Sequence, residues 1–154
     1  TLSLHDALPI WLSMGYPDSD AECKMLLNRS GKNPLNSVNC IVSKNEFLEM
    51  QSEVQNVFVS DDMARYIVSL ISATRKHPLL SRGASPRATL SLTDMAKAVA
   101  FAEGRDYIVP RDVQNIFICT VNHRIILNAK ASASKKNSEE ILQEILRKTP
   151  KPRT

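Results

Sequence analysis

The fold is decided by residues 83–104, which read GASPRATLSLTDMAKAVAFAEG. Ser85 is a residue type that caps helices, and Pro86 suits the first helical position, where its missing N–H leaves no hydrogen bond unmade. Gly104 is typical of the residue just past a helix end. The segment therefore predicts a helix over 86–103. Apolar residues on two of its sides predict that it is central and mostly buried; one side holds Ala88, Leu92, Met95, Ala96, Val99 and Ala102, and the other holds Leu90 and Phe101.

Helical patterns also precede this segment. Asp18 or Ser19 can cap a helix that ends near Gly31, and Ser43 with Glu46 forms a capping-box pair that starts another. A longer helix begins after Ser60 and ends before Pro78. Its apolar residues recur at the spacing of an amphipathic helix: Met63, Ile67, Leu70, Ile71 and Thr74.

The remainder of the chain adds two helices and little strand. One helix follows Pro110, and an amphipathic helix spans 139–148 after a low-complexity linker over 128–137. The segments 57–59 and 107–109 are short and extended. The sequence thus predicts an all-α domain, a small helical bundle with at most two very short strands and a tethered C-terminal helix.

Composition narrows the class of protein. The chain has 154 residues, 5% of them aromatic, and only four glycines, which disfavours a β-sandwich or barrel. Its apolar stretches are shorter than the roughly 18 residues of a membrane span, so no membrane partner is expected. The net charge of +4 divides into −2 over 1–77 and +6 over 78–154. We interpret the densest basic group, at the C-terminus, as a solvated tail.

No complete active site is present in the sequence. A phosphate-binding P-loop needs Gly-Lys-Ser or Gly-Lys-Thr, but Gly31-Lys32 is followed by Asn33. No metal-ligand motif occurs. The cysteines Cys23, Cys40 and Cys119 are odd in number and far apart, which favours reduced thiols and a cytoplasmic location.

Arg87 breaks a local rule. It occupies the first turn of its predicted helix, where the positive end of the helix dipole disfavours a cation. A guanidinium beside the backbone N–H groups of a helix start is favourable when both face an anion, and phosphate is the obvious candidate. The alternative is that Arg87 is an ordinary surface residue.

A set of ordered motifs over residues 11–152 resembles the lid domain of the MoxR-type AAA+ ATPases. The signature segment is Gly83-Ala84-Ser85-Pro86-Arg87-Ala88. The other motifs are Gly15-Tyr16-Pro17-Asp18, Tyr66-Ile67-Val68, Ala73-Thr74-Arg75 with His77-Pro78, Gly104-Arg105-Asp106-Tyr107, Pro110 with Asp112-Val113, and His123-Arg124.

The resemblance implies that two parts of the complete protein contact the nucleotide. Arg87 matches the sensor-2 arginine, which contacts the γ-phosphate of ATP, and Gly15, Tyr16 and Pro17 match a hinge near the adenine. ATP with magnesium is implied to be held mainly by a large α/β subdomain. The implied whole is a homo-oligomeric ring, taken as a hexamer, that uses ATP to remodel or mature a client protein complex. Without Walker A and Walker B motifs, this chain is expected to be inactive alone.

The resemblance also implies boundaries. Residues 1–10 do not match the family segment that precedes the lid, so we expect a non-native or disordered leader there. The lid is expected over 11–127, and a linker, a C-terminal helix and a basic tail over 128–154. The competing interpretation is a free-standing helical module that binds nucleic acid or docks a protein. Nucleic acid is disfavoured, because no predicted helix carries a row of basic or amide side chains.

Overall fold

The computed structural model describes residues 12, 14–28 and 34–152. The predicted leader over 1–10 and the predicted helix end at Gly31 lie outside these residues. The described residues divide into two compact units, one within Leu12–Met50 and the other over 51–152.

The unit Leu12–Met50 is built from short helical pieces. Helix α1 spans Ser19–Asn28, a 3₁₀ turn spans Pro34–Ser37, and helix α2, Lys44–Gln55, begins here. Asp18 caps α1, because its Oδ1 accepts from the N–H of Ala21 at 2.7 Å. The predicted capping box is confirmed: the N–H of Ser43 donates to Glu46 Oε2 at 2.7 Å, and the N–H of Glu46 donates to Ser43 Oγ at 3.3 Å.

The second unit is a helical bundle. Its elements are α3 at Asp61–Lys76, β1 at Leu80–Arg82, α4 at Pro86–Ala102, α5 at Pro110–Val121, β2 at Ile126–Leu127, α6 at Ala129–Ala133 and α7 at Ser138–Lys148. A 3₁₀ turn, Asn122–Arg124, follows α5 directly. The predicted all-α fold with at most two very short strands is confirmed.

The core lies between α3, α4, α5 and α7, which pack on one another. The predicted stripe of α3 is confirmed, because all five of its residues are buried. The buried residues of α4 are Ala88, Leu92, Ala96 and Ala100, and the small side chains of the three alanines allow close approach of its neighbours. Full burial of a side chain such as Phe117 or Leu142 contributes about 2 kcal/mol. The second predicted side of α4 is buried only in part, because Phe101 packs against the core whereas Leu90 is 67% exposed.

The two strands do not coincide with the segments that the sequence predicted to be extended. β1 and β2 form an antiparallel pair in which Leu80 faces Leu127. The segments 57–59 and 107–109 meet only in an isolated parallel bridge between Phe58 and Tyr107. Each needs a partner about fifty residues away along the chain, and local patterns do not reveal such partners.

The C-terminal region is part of the bundle. Ile141, Leu142 and Ile145 of α7 are buried against α3 and α5. The segment 128–137, predicted as a linker, contains α6, whose Ala131 is fully buried. Alanine-rich composition suggested low complexity, although small side chains also suit a short helix packed closely on the core.

Candidate functional site

The segment before α4 is clamped to the end of α3 by hydrogen bonds. The N–H of Ala84 donates to Thr74 Oγ1 at 2.9 Å, and Thr74 Oγ1 donates to the carbonyl of Ile71 at 2.6 Å. Arg75 Nε donates to the carbonyl of Ala84 at 2.7 Å. Because both backbone groups of Ala84 are held, the start of α4 is fixed relative to α3.

Gly83 permits this close contact. A Cβ at Gly83 would lie 2.5 Å from both the Cα and the backbone N of Arg75 and 2.6 Å from the carbonyl carbon of Thr74. These are backbone atoms of a helix, which cannot rotate aside as a side chain would. Only glycine fits here without a shift of the chain.

The first turn of α4 places Arg87 at an unusual helix start. Ser85 holds the N-cap position as predicted, but its side chain makes no capping hydrogen bond, so the contact expected of it is absent. The first turn contains no acidic residue, and Pro86 occupies the first position. Arg87 is exposed. The helix start therefore presents a cation where a capping oxygen or a carboxylate is usual.

Arg124 contacts the same part of α4 that carries Arg87. It ends the 3₁₀ turn after α5, and its Nη2 donates to Ser91 Oγ on α4 at 3.2 Å. Burial, and after it the positive charge of Arg87, lowers the pKa of Arg124 below its ordinary value. Sequence reasoning gave Arg124 no role, because the contact with Ser91 spans 33 residues.

Arg105 and Asp112 form a bidentate ion pair between the end of α4 and the start of α5. Arg105 Nη1 and Nη2 donate to the two carboxylate oxygens of Asp112 at 2.8 and 2.7 Å, and the Asp112 side chain is only 1% exposed. The N–H of Val109 also donates to Asp112 at 2.8 Å. Hydrogen bonds to Asp112 and then to Glu103 raise the pKa of Arg105. This pair joins two helices and leaves no carboxylate oxygen for a ligand.

The predicted adenine-side residues lie in the unit Leu12–Met50, before α1. Gly15, Tyr16 and Pro17 are all exposed, and the Tyr16 side chain is 98% exposed. Gly15 has φ +66°, a left-handed conformation that glycine adopts readily.

Part of the basic C-terminal region is neutralised. Glu144 accepts from Lys148 at 2.6 Å and from Lys136 at 2.8 Å. Hydrogen bonds from Lys136 and then Lys148 lower the pKa of Glu144 to about 2. This pairing gives the nucleic-acid interpretation no support.

The described residues include neither a metal-binding cluster nor a helix that could span a membrane. Over 12, 14–28 and 34–152, no group of three or more His, Cys, Asp or Glu could hold a metal ion. Within the same residues, every helix is too short or too polar to cross a membrane.

Comparisons with known proteins agree with the motifs. Residues 72–145 match the family of AAA lid domains. The chain is 35% identical over 135 residues to the uncharacterised protein YeaC of Bacillus subtilis, covering 88% of this chain and 42% of that protein. It is 30% identical over 150 residues to the chaperone MoxR1 of Mycobacterium tuberculosis, covering 92% and 39%.

A solved structure shares the fold. The crystal structure of a candidate ATPase from Cytophaga hutchinsonii aligns with a TM-score of 0.85 at 34% identity, over 97% of this chain and 48% of that one. The fold and the matched residues define an AAA lid domain. More particularly, the chain belongs to the MoxR-type AAA+ ATPases. It spans about two fifths of the length of the curated relatives named above.

Proposed function

We propose that this chain is the lid of an ATP-hydrolysing machine in which Arg87 contacts the γ-phosphate. The observation that carries the proposal is the start of α4, where an exposed arginine replaces the usual acidic first turn. The clamp on Ala84 supports it, because a residue that stabilises a transition state must be held in a fixed position. Positive charge at this position would stabilise the charge that develops on the transferred phosphoryl group.

The remaining parts of the proposal follow from the family. Gly15, Tyr16 and Pro17 would lie near the adenine, and a large subdomain would hold most of the ATP and its magnesium. The machine would be a homo-oligomeric ring with chaperone-like activity on a client protein complex, a role supported by the name of the mycobacterial relative. Cys23 and Cys40 are exposed free thiols, which suits the reducing cytoplasm.

The direct test is Arg87→Ala in the ATPase that joins this lid to its large subdomain. We expect the hydrolysis rate to fall on the order of 10-fold or more, because a transition-state contact is lost. The melting temperature should change little, since Arg87 is exposed. Arg87→Lys should rescue poorly, because an ammonium lacks the planar fork that pairs with phosphate oxygens. Steady-state phosphate release and thermal unfolding measure both effects.

Arg111 provides a matched control. Like Arg87 it is exposed and follows a proline at the first position of a helix, here Pro110 of α5. Arg111→Ala should leave hydrolysis unchanged. Equal losses in the two variants, or a substantial fall in melting temperature for Arg87→Ala, would refute the assignment.

The 154-residue chain alone should not hydrolyse ATP. Its sequence has no P-loop, and a single arginine provides little affinity for a triphosphate. Phosphate release from purified chain with ATP and magnesium should equal the buffer background. Magnesium-dependent release that disappears in Arg87→Ala would contradict this expectation.

A further inference from the structure

An open cavity of about 370 Å³ lies where the end of α2, the end of α4 and the loop before α5 come together. Its apolar lining comes from Val57, which is buried in the core, and from Phe101, which packs against the core. All of the residues that line it belong to the unit over 51–152. Its volume falls within the range of ligand pockets, about 300–1,000 Å³, so the cavity has room for a large side chain of a partner.

The cavity is separate from the candidate nucleotide site. Arg87 is the second residue of α4 and Ala102 is its last, which places them about 22 Å apart along the helix axis at about 1.5 Å per residue. The cavity lies at the Ala102 end, beside Gly104. A short segment bound here would not contact Arg87.

The rim of the cavity is acidic. Glu53 and Asp106 line it and are exposed, and neither carboxylate has a hydrogen-bonding or ion-pairing partner among residues 12, 14–28 and 34–152. Arg105 also lines the cavity, but its guanidinium is bound to Asp112 and Glu103 at 2.7 Å each. The positive charge at the cavity is thus matched within the fold, whereas the two rim carboxylates are open to a ligand.

Lys97 brings one further cation to this region, because its Nζ donates to the carbonyl of Gln55 at 2.7 Å, next to the lining residue Asn56. With Lys97 and Arg105 as cations and the four carboxylates described above, the surroundings of the cavity carry a net charge of −2. The chain over 78–154 carries +6. An apolar lining with an acidic rim complements a ligand that is both apolar and positively charged.

Two exposed aromatic residues adjoin the cavity. Phe58 directly follows Val57, Tyr107 directly follows Asp106, and they are 65% and 50% exposed. They are the two residues of the parallel bridge, and side chains of bridged residues lie on one face. Exposed aromatic side chains are enriched at protein–protein interfaces, and their rings attract cations. The surface beside the cavity therefore favours the same kind of partner as its acidic rim.

We propose that this cavity docks a segment of a partner protein in which a large aliphatic side chain is flanked by lysine or arginine. The aliphatic side chain packs on Val57 and Phe101, where it is removed from water. The flanking cations pair with Glu53 and Asp106 on the rim. The inference goes beyond the proposed function, because it requires neither Arg87 nor a nucleotide.

The probe is a pentapeptide, glycine-lysine-leucine-lysine-glycine, blocked at both ends and titrated at low salt into the ¹⁵N-labelled 154-residue chain. Nuclear magnetic resonance follows the amides of Val57, Gly104 and Asp106, which line the cavity. We expect these signals to shift at millimolar peptide. A peptide with alanine in place of leucine should bind on the order of 10-fold more weakly, because less apolar surface is buried. A peptide with glutamate in place of both lysines should not bind.

Substitutions in the chain separate the rim from the cavity. Glu53→Gln combined with Asp106→Asn should raise the apparent dissociation constant about five-fold, the effect of losing exposed charge pairs, and should remove most of the salt dependence. Asn56→Trp places a large side chain at the cavity and should block it. Glu139→Gln removes an exposed carboxylate from the first turn of α7 and should match the wild type. Arg87→Ala should also match it, so this inference and the proposed function fail separately.

Several outcomes would overturn the proposal. Equal binding of the lysine and glutamate peptides would show that the acidic rim selects nothing, and equal binding of the leucine and alanine peptides would show that the cavity receives no side chain. No shift at millimolar peptide, or shifts confined to other parts of the chain, would show that this is not the site. Concentration-dependent shifts of the same signals without peptide would identify a second copy as the occupant. Should Asn56→Trp unfold the chain, the paired substitution of Glu53 and Asp106 decides the question.

Discussion

Arg105→Ala is expected to lower the free energy of unfolding by about 3 kcal/mol, because it leaves a buried carboxylate without its partner. The Asp112 side chain is 1% exposed, whereas that of Arg105 is 21% exposed, so water can reach the vacated space and the effect should lie at the lower end of the range for buried pairs. Val109 would still donate to Asp112 and retain part of the stabilisation. Urea denaturation of the 154-residue chain measures the change.

Two comparisons isolate the ion pair. Arg111→Ala, an exposed arginine in the next helix, should change stability by less than about 0.5 kcal/mol. In an Asp112→Asn background, Arg105→Ala should cost much less than in the wild type, because no charge is stranded. A similar cost in both backgrounds would refute the pairing argument. Since Arg105 stabilises the fold, it is unsuitable as a neutral control for Arg87.

The sequence predicted the long helices well because their signals are local. Ser60 caps α3 through a 3.3 Å bond from the N–H of Met63, and the apolar stripe that follows is buried as expected. The predicted helix over 139–148 corresponds to α7 at Ser138–Lys148. Capping residues and a period near 3.6 are properties of a single segment, so they can be identified without tertiary information.

Features that depend on distant partners were missed or misplaced. The β1–β2 pair joins residues about 45 positions apart, and Ala131 of α6 is buried in the core although the composition of its segment suggested a linker. Leu90 was expected in the core, but it faces away from the neighbours of α4. Hydrophobicity alone does not say which side of a helix receives a partner.

The residues of the candidate site show the same contrast between local signals and tertiary contacts. Arg87 could be found in the sequence, because a cation in the first turn of a helix violates a local preference. The hydrogen bond between Arg124 and Ser91 could not be found there, because it joins residues 33 positions apart. Gly83 could be assigned to a motif, but the need for glycine there arises from the backbone of α3.

Gly83→Ala is expected to destabilise the chain by about 3 kcal/mol, the upper part of the range for overpacking. The added methyl group would lie 2.5 Å from backbone atoms of Arg75, so α3 and the segment before α4 must separate. Separation would strain both hydrogen bonds to Ala84. We therefore also expect the start of α4, with Arg87, to move, and hydrolysis by the complete ATPase to fall even at temperatures where the variant is folded.

Gly104→Ala is the matched control for this substitution. Gly104 has φ +73°, and a Cβ there would meet nothing within 4 Å, so its cost is backbone strain alone, about 1 kcal/mol. Chemical denaturation should rank Gly83→Ala well below Gly104→Ala in stability. In folded samples only Gly83→Ala should shift the amide signals of Arg87 and Ala88, because only that position abuts the clamp on α4. Equal destabilisation by the two substitutions, with unshifted signals at Arg87, would show that the segment before α4 tolerates a side chain and that the clamp does not position the arginine.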